Sequence, residues 1–349
     1  MSMYRRVNAE IHLLITITSF VLTVLLIRAY LYVTGFPQIG NGELHIAHML
    51  WGGLALFSAS TVLLLYRGLY IARLAAVLTG VGFGFFIDEI GKFLTRSNDY
   101  FFAPAAVIIY VIFLLFVGVY ILWFRPRKGD VSLDDNEAFS DIRELLDGVA
   151  AGELTKRERL LLQRSIQRLI DDDEEEYRSL GVSVKQYVKS RPLTIKQQRL
   201  EAIGSIWPSV IRQIVSSRIF IFIFVALIGV DLIATFITIY HFQPISPSGN
   251  LFDIFDLNRD EMVRAGSLLV RLFFQTMLVL GAVAVLSGKV TLGRRLMVGA
   301  LLPMIVIIDS IDFYFSQFST AYTVAIDALL LIMVEARFGN EKTSQVKKK

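Results

Sequence analysis

The sequence predicts an all-α membrane protein of about eight transmembrane helices, in two four-helix halves separated by a charged cytoplasmic helical insert. Three observations carry that expectation. Apolar blocks are long enough to span a bilayer, Lys and Arg gather at one set of block ends, and a single long charged stretch divides the apolar regions. Hydrophobic residues make up 54% of the 349 residues, above the about 45–50% usual in soluble domains, and mean hydropathy is +0.58. A bilayer core needs about 20 apolar residues per helix.

The blocks run approximately Ile11–Tyr32, His48–Tyr66, Ile71–Phe93, Pro104–Phe124, Ile219–Tyr240, Met262–Leu286, Leu296–Phe318 and Thr320–Phe338. The first follows Arg5 and Arg6 but is longer than the apolar region of a signal peptide and lacks a small-residue cleavage site, so it reads as a retained span. Basic residues flank the blocks at Arg5, Arg6, Arg67, Arg73, Arg125 to Lys128, Arg218, Lys289 to Arg295 and the Lys347–Lys349 tail. With eight spans these all fall on one side, which the positive-inside rule makes cytoplasmic. Both termini are then cytoplasmic, and the expected location is the plasma (inner) membrane. The opposite side holds Gly35–Leu44, without Lys or Arg, and a loop with Asp253, Asp256, Asp260 and Glu261 against Arg259 and Arg264. The domains expected are 1–124, 125–217 and 218–349.

Between the halves, 125–217 carries about half of the charged residues. Ile142, Leu145, Leu146 and Val149, then Leu160, Leu161, Ile166, Leu169 and Ile170, recur at helical spacing, with breaks near Gly152 and Gly181. Ser132 and Asp135 are N-cap candidates, and Asp171–Glu176 is an acidic run whose plain reading is a solvated face.

Laying Arg73 on Arg294 brings Val77 onto Val298, Ile87 and Asp88 onto Ile308 and Asp309, Ile90 onto Ile311 and Phe93 onto Tyr314. Gly82 and Pro303, both weak helix formers, then coincide. This is a weak internal repeat. Four spans per unit would make it parallel, as in some transporters.

Charged groups within the apolar blocks locate the candidate function, because a charge at the bilayer centre costs about 2.5–3.5 kcal/mol and usually faces a bundle interior or cavity. Asp88 and Glu89 lie near the outer end of the third block, and Asp309 and Asp312 at the matching level of the seventh. Asp327 lies about 8 Å into the eighth, and Asp231 near the middle of the fifth. His45 and His48 are three apart, on one helical face; His241 ends the fifth block on the same side. Lys92 and Arg271 are the expected counter-ions, while Arg28 is expected to reach the outer interface by snorkelling. Six acids face three bases, an excess of three negative charges that protons or a cation must balance. For single residues the plain alternative is a structural ion pair or bundle glue.

Three functions fit. One is a transporter or channel-like protein binding a cation or proton at the six acids 88, 89, 231, 309, 312 and 327, with carbonyls freed at Gly82 and Pro303 as added ligands. Another is a metal-dependent intramembrane enzyme acting on a lipid or envelope substrate, with a divalent metal held by His45, His48, Asp88 and Asp309. No H-E-x-x-H motif supports it, and the same ligand set suits manganese or iron. The third is a membrane sensor or scaffold signalling through the insert. The bilayer is the expected partner, with a small ion or a lipid-like substrate. Nucleic acid is not expected, since the bases mark helix ends. The chain has no cysteine, so disulfides and thiolate chemistry are excluded.

Overall fold

A computed structural model describes residues 6–34, 48–95, 102–124, 135–152, 154–191, 219–241 and 259–338. All regular elements among them are helical. In chain order these are α1 (Ala9–Thr34), α2 (Met49–Leu65), α3 (Leu69–Asp88), α4 (Ile90–Leu94), α5 (Ala103–Phe124), α6 (Asp135–Ala151), α7 (Lys156–Ile170) and α8 (Glu175–Lys189). There follow α9 (Ile219–His241), α10 (Arg259–Leu286), α11 (Val290–Pro303), a π-helical turn (Met304–Ile308), α12 (Asp309–Phe315) and α13 (Gln317–Phe338).

Six stretches are long and apolar enough to cross a membrane: Ala9–Leu31, Leu69–Asp88, Ala103–Trp123, Phe222–Tyr240, Arg259–Leu286 and Val290–Phe315. The other two expected spans form helices outside that set. At 17 residues, α2 measures about 26 Å, slightly less than a bilayer core of about 30 Å. Helix α13 carries Asp327, Glu335 and Arg337. Large apolar side chains face outward on several of the helices, among them Leu64, Leu122, Phe222 and Ile332, which suits lipid and not water.

The chain divides into two compact units. The first comprises Met1–Tyr100 and Ile112–Ile206, and in it α1 and α2 both pack on α3 through glycine. A Cβ at Gly52 would lie 2.6 Å from the Gly82 carbonyl oxygen, and one at Gly84 would lie 2.8 Å from the Cβ of Thr23. Gly80 meets the backbone of Thr16 and Phe20 in the same way. Small residues allow helix backbones to approach this closely where lipid supplies no hydrophobic drive between helices. Phe20, Phe83 and Phe116 stack nearby, Phe20 to Phe83 at 5.5 Å and Phe83 to Phe116 at 5.6 Å between ring centres. Gly82 therefore does not interrupt α3, contrary to the expectation of a freed carbonyl; its missing side chain makes room for α2.

Helices α6 to α8 fold against the ends of α1 and α3 within this unit. Thr155 and Glu158 close a capping box at the start of α7, two donors satisfied reciprocally. The amphipathic faces bury Ile142, Leu145 and Val149 with Leu162, Ile166, Leu169 and Val184, and the same core takes in Val7 and Leu69. Two carboxylates fix the join. Glu144 accepts from Arg6 Nε at 3.1 Å and from the Val7 amide at 2.9 Å. Glu158, 1% exposed, accepts from Asn8 Nδ2 at 2.6 Å and Arg73 Nη2 at 2.5 Å. Arg157 pairs with Glu10 beside them.

The second unit comprises Phe101–Val111 and Trp207–Lys349. Helices α10 and α11 form a tight hairpin whose turn uses Gly288 at φ 81°, a conformation costly for residues with a Cβ. A Cβ at Gly293 would lie 2.5 Å from the Gly281 carbonyl oxygen. Phe224, Ile228, Leu278, Met297, Leu301, Leu330 and Val334 form the apolar core. At Pro303 the regular helix widens into the π turn, because proline donates no backbone N–H and crowds the preceding turn. The Ile305 carbonyl there accepts from the Tyr110 hydroxyl at 2.7 Å.

Two outcomes follow for this packing. Gly82→Val is expected to cost about 1–3 kcal/mol by overpacking and to lower the unfolding midpoint in detergent; Gly53→Ala, with nothing within 4 Å of the added Cβ, does not lower it, since alanine is the better helix former. Glu158→Ala is expected to cost about 1–3 kcal/mol by stranding its donors, a figure held down by the partial exposure of Arg73, and to speed limited proteolysis between 135 and 191. Unchanged cleavage would mean that the join does not depend on this carboxylate.

Candidate functional site

Each unit buries a group of acids, and their balance of charge differs. In the first, α3 ends at Asp88 and the chain turns through Glu89 into α4. Both acids are fully buried. Asp88 meets Arg28 Nε of α1 at 2.8 Å and His48 Nε2 at 3.3 Å. Glu89 meets Lys92 Nζ at 2.6 Å and lies 3.6 Å from His48 Nδ1. It also accepts from the Met49 amide at 3.0 Å, so its charge caps the N-terminus of α2, where the helix dipole favours an anion. Among the described residues, two acids here face two permanent cations and a histidine.

This arrangement departs from the sequence reading at two points. Arg28 does not extend to the interface. It is 9% exposed, because a carboxylate lies one helix away and the pair costs less buried together than Asp88 would alone. Lys92 binds Glu89, three residues before it, instead of Asp88, its expected i+4 partner.

In the second unit four aspartates from three helices converge on one guanidinium. Arg271 Nη1 donates to Asp309 at 2.8 Å and Asp312 at 3.2 Å; Nη2 donates to Asp231 at 3.0 Å and Asp327 at 3.0 Å. The planar fork of arginine allows this, since two nitrogens can each serve two acceptors. Asp231 also accepts from Gln275 Nε2 at 2.7 Å, and Gln275 donates to Thr235 Oγ1 at 2.8 Å. Asp312 takes a further bond from Ser267 at 3.1 Å. The three aspartates 231, 309 and 327 are at most 1% exposed, whereas the side chain of Asp312 is 20% exposed and lines a small open cavity with Arg264, Arg271, Thr235, Thr238 and Tyr322. Even with Arg264 counted, acids outnumber bases by two.

Among the described residues, the excess of negative charge thus falls in this unit. Asp88 and Asp309, expected at one pocket, lie in different units, each with an arginine of its own. His45, Asp253 and Asp256 lie outside the described residues. Among the described residues no group of three His, Asp or Glu side chains is placed to hold a metal ion; Arg271 occupies the position among the aspartates that a cation would take. Sequence reasoning missed Ser267, Gln275, Thr235 and Tyr110. The first two had a signal, since Ser267, Arg271 and Gln275 are spaced by four and form one polar stripe on an apolar helix.

The chain matches no family model, no curated protein and no solved structure in the three comparisons made.

Arg271→Gln is expected to cost about 3–5 kcal/mol, the usual loss when one partner of a buried ion pair is removed, read as a fall in the thermal unfolding midpoint in detergent. Arg271→Lys should not restore it, because an ammonium presents no fork. Arg28→Gln should cost less, since His48 remains beside Asp88. An Arg28 variant as damaging as the Arg271 variant would contradict the difference in charge balance.

Proposed function

We propose that this chain is an integral membrane protein that binds a proton or small cation at the Arg271 aspartates and transports it. The carrying observation is the charge balance of that cluster: four carboxylates on one guanidinium, three of them fully buried. A purely structural cluster has no need of such an excess, and the other unit shows how two buried acids are held when the charges nearly match. An ion that comes and goes requires a site that is incomplete without it.

Eight crossings, with both termini and residues 125–217 cytoplasmic, belong to the same proposal. The join of α6 to α8 with Asn8 and with Arg73 supports it. The start of α1 and the start of α3 are held by one water-soluble segment, so they share a side, and α2 must then return across the bilayer despite its length. The two hairpins also support an internal repeat: α2–α3 turns at Gly68 with φ 113° and α10–α11 at Gly288 with φ 81°. Each leads towards a buried aspartate, Asp88 or Asp309, which coincide in the repeat register.

Purified protein reconstituted into liposomes tests the function. An imposed proton or sodium gradient is expected to drive flux through the wild type, and Asp309→Asn or Asp327→Asn to reduce it tenfold or more while the protein stays monodisperse. Equal flux in wild type and both variants would refute a transport role for the cluster.

A further inference from the structure

The hydrogen bonds of the Arg271 cluster distinguish its four aspartates. Asp231 has both oxygens satisfied, one by Arg271 and one by Gln275. Asp312 likewise binds Ser267 through one oxygen and Arg271 through the other. Asp309 and Asp327 each use one oxygen on Arg271. The second oxygens, Asp309 Oδ2 and Asp327 Oδ1, are buried and accept no hydrogen bond from the described residues, and the same is true of Gln275 Oε1. The orientation of the Gln275 amide is fixed, because its nitrogen must face the Asp231 carboxylate. The cluster therefore holds three buried acceptors and lacks a donor.

We infer that the ligand of this cluster is a proton, carried as a carboxylic O–H on Asp309 or Asp327 and admitted past Asp312 from the adjoining cavity. The inference rests on the reading of the cluster as an ion-binding site and narrows it to one ion. A proton adds one O–H bond, lowers the net negative charge by one, and turns an acceptor into the missing donor without needing space. A metal ion would need several oxygens around it and would have to stand beside the guanidinium, which already occupies the centre. The charged and titratable groups around the pair are Asp231 on α9, Arg264 and Arg271 on α10, Asp312 on α12, Tyr322 on α13 and Tyr110 on α5. Tyr110 donates to the Ile305 carbonyl. Arg271 and Thr235 also line the cavity, but Asp312 is the carboxylate that both lines it and bonds Arg271, which makes it the group able to pass a proton from the cavity to the cluster.

Infrared spectroscopy of the full-length protein in lipid vesicles at neutral pH tests this. The wild type is expected to show a carboxylic acid carbonyl band that shifts in heavy water and moves when aspartate is isotope-labelled at its carboxyl carbon. The band should weaken in Asp309→Asn or Asp327→Asn and vanish in the double variant. Both single variants should keep the wild-type unfolding midpoint, because the amide supplies the same donor, whereas Asp231→Leu should lower it by leaving the Arg271 and Gln275 donors without their acceptor. Calorimetric titration of the same samples with sodium, potassium, magnesium and calcium separates the two claims. No aspartic acid band in the wild type, with saturable cation binding lost in Asp327→Asn, would overturn the proton and keep the ion site. Neither band nor cation binding would overturn both. The labelled wild-type spectrum decides the first question even if a variant does not fold.

Discussion

A single guanidinium shared by four carboxylates constrains the second unit more than any other interaction. Each ion alone would be expensive inside a bilayer, and a buried pair repays that cost only with good geometry. The helices must therefore converge: α9 brings Asp231, α10 brings Arg271, α12 brings Asp309 and Asp312, and α13 brings Asp327. Asp309 and Asp312 stand one turn apart on the same face, so α12 has one productive rotation about its axis. The π turn after Pro303 changes the helix phase just before Asp309, and Tyr110 binds a carbonyl in that turn. The helical irregularity and the ion cluster are thus adjoining parts of one arrangement, consistent with the frequent placement of π-bulges at functional sites.

The first unit solves a similar problem with different means. Arg28 and Lys92 nearly neutralise Asp88 and Glu89, and the N-terminus of α2 supplies a backbone donor to Glu89. Close glycine contacts between α3 and its two neighbours then fix the helices independently of the ions. Each unit has a hairpin with a positive-φ glycine in its turn, Gly68 or Gly288; among the described residues one leads to a matched set of charges and the other to an unmatched one.

Much of this was legible in the sequence, and the failures have physical causes. Apolar block length located the helices, because the bilayer thickness leaves little freedom. The acids were legible for the same reason, since a carboxylate in such a block is costly and seldom accidental. The partners were not, because pairing depends on which helices touch. Arg28 lies near a helix end, where snorkelling is the usual behaviour, and only the packing of α1 on α3 puts Asp88 within its reach. Counting charges over the whole chain gives their sum and not which acid meets which base, and the pairs form separately within each unit. Gly82 was misread because glycine weakens a helix in water, whereas inside a bundle its missing side chain is an asset.

The join between α6–α8 and the membrane helices also bears on how the chain reaches its orientation. In the proposed topology Arg6 and Arg73 are among the basic residues that keep the ends of α1 and α3 in the cytoplasm. In the folded structure both are paired, Arg6 with Glu144 and Arg73 with Glu158. Those acids lie later in the chain, so they emerge after the first three helices. In that topology the same arginines mark the cytoplasmic ends of the membrane helices and hold α6 and α7 against them, so one set of charges serves both purposes.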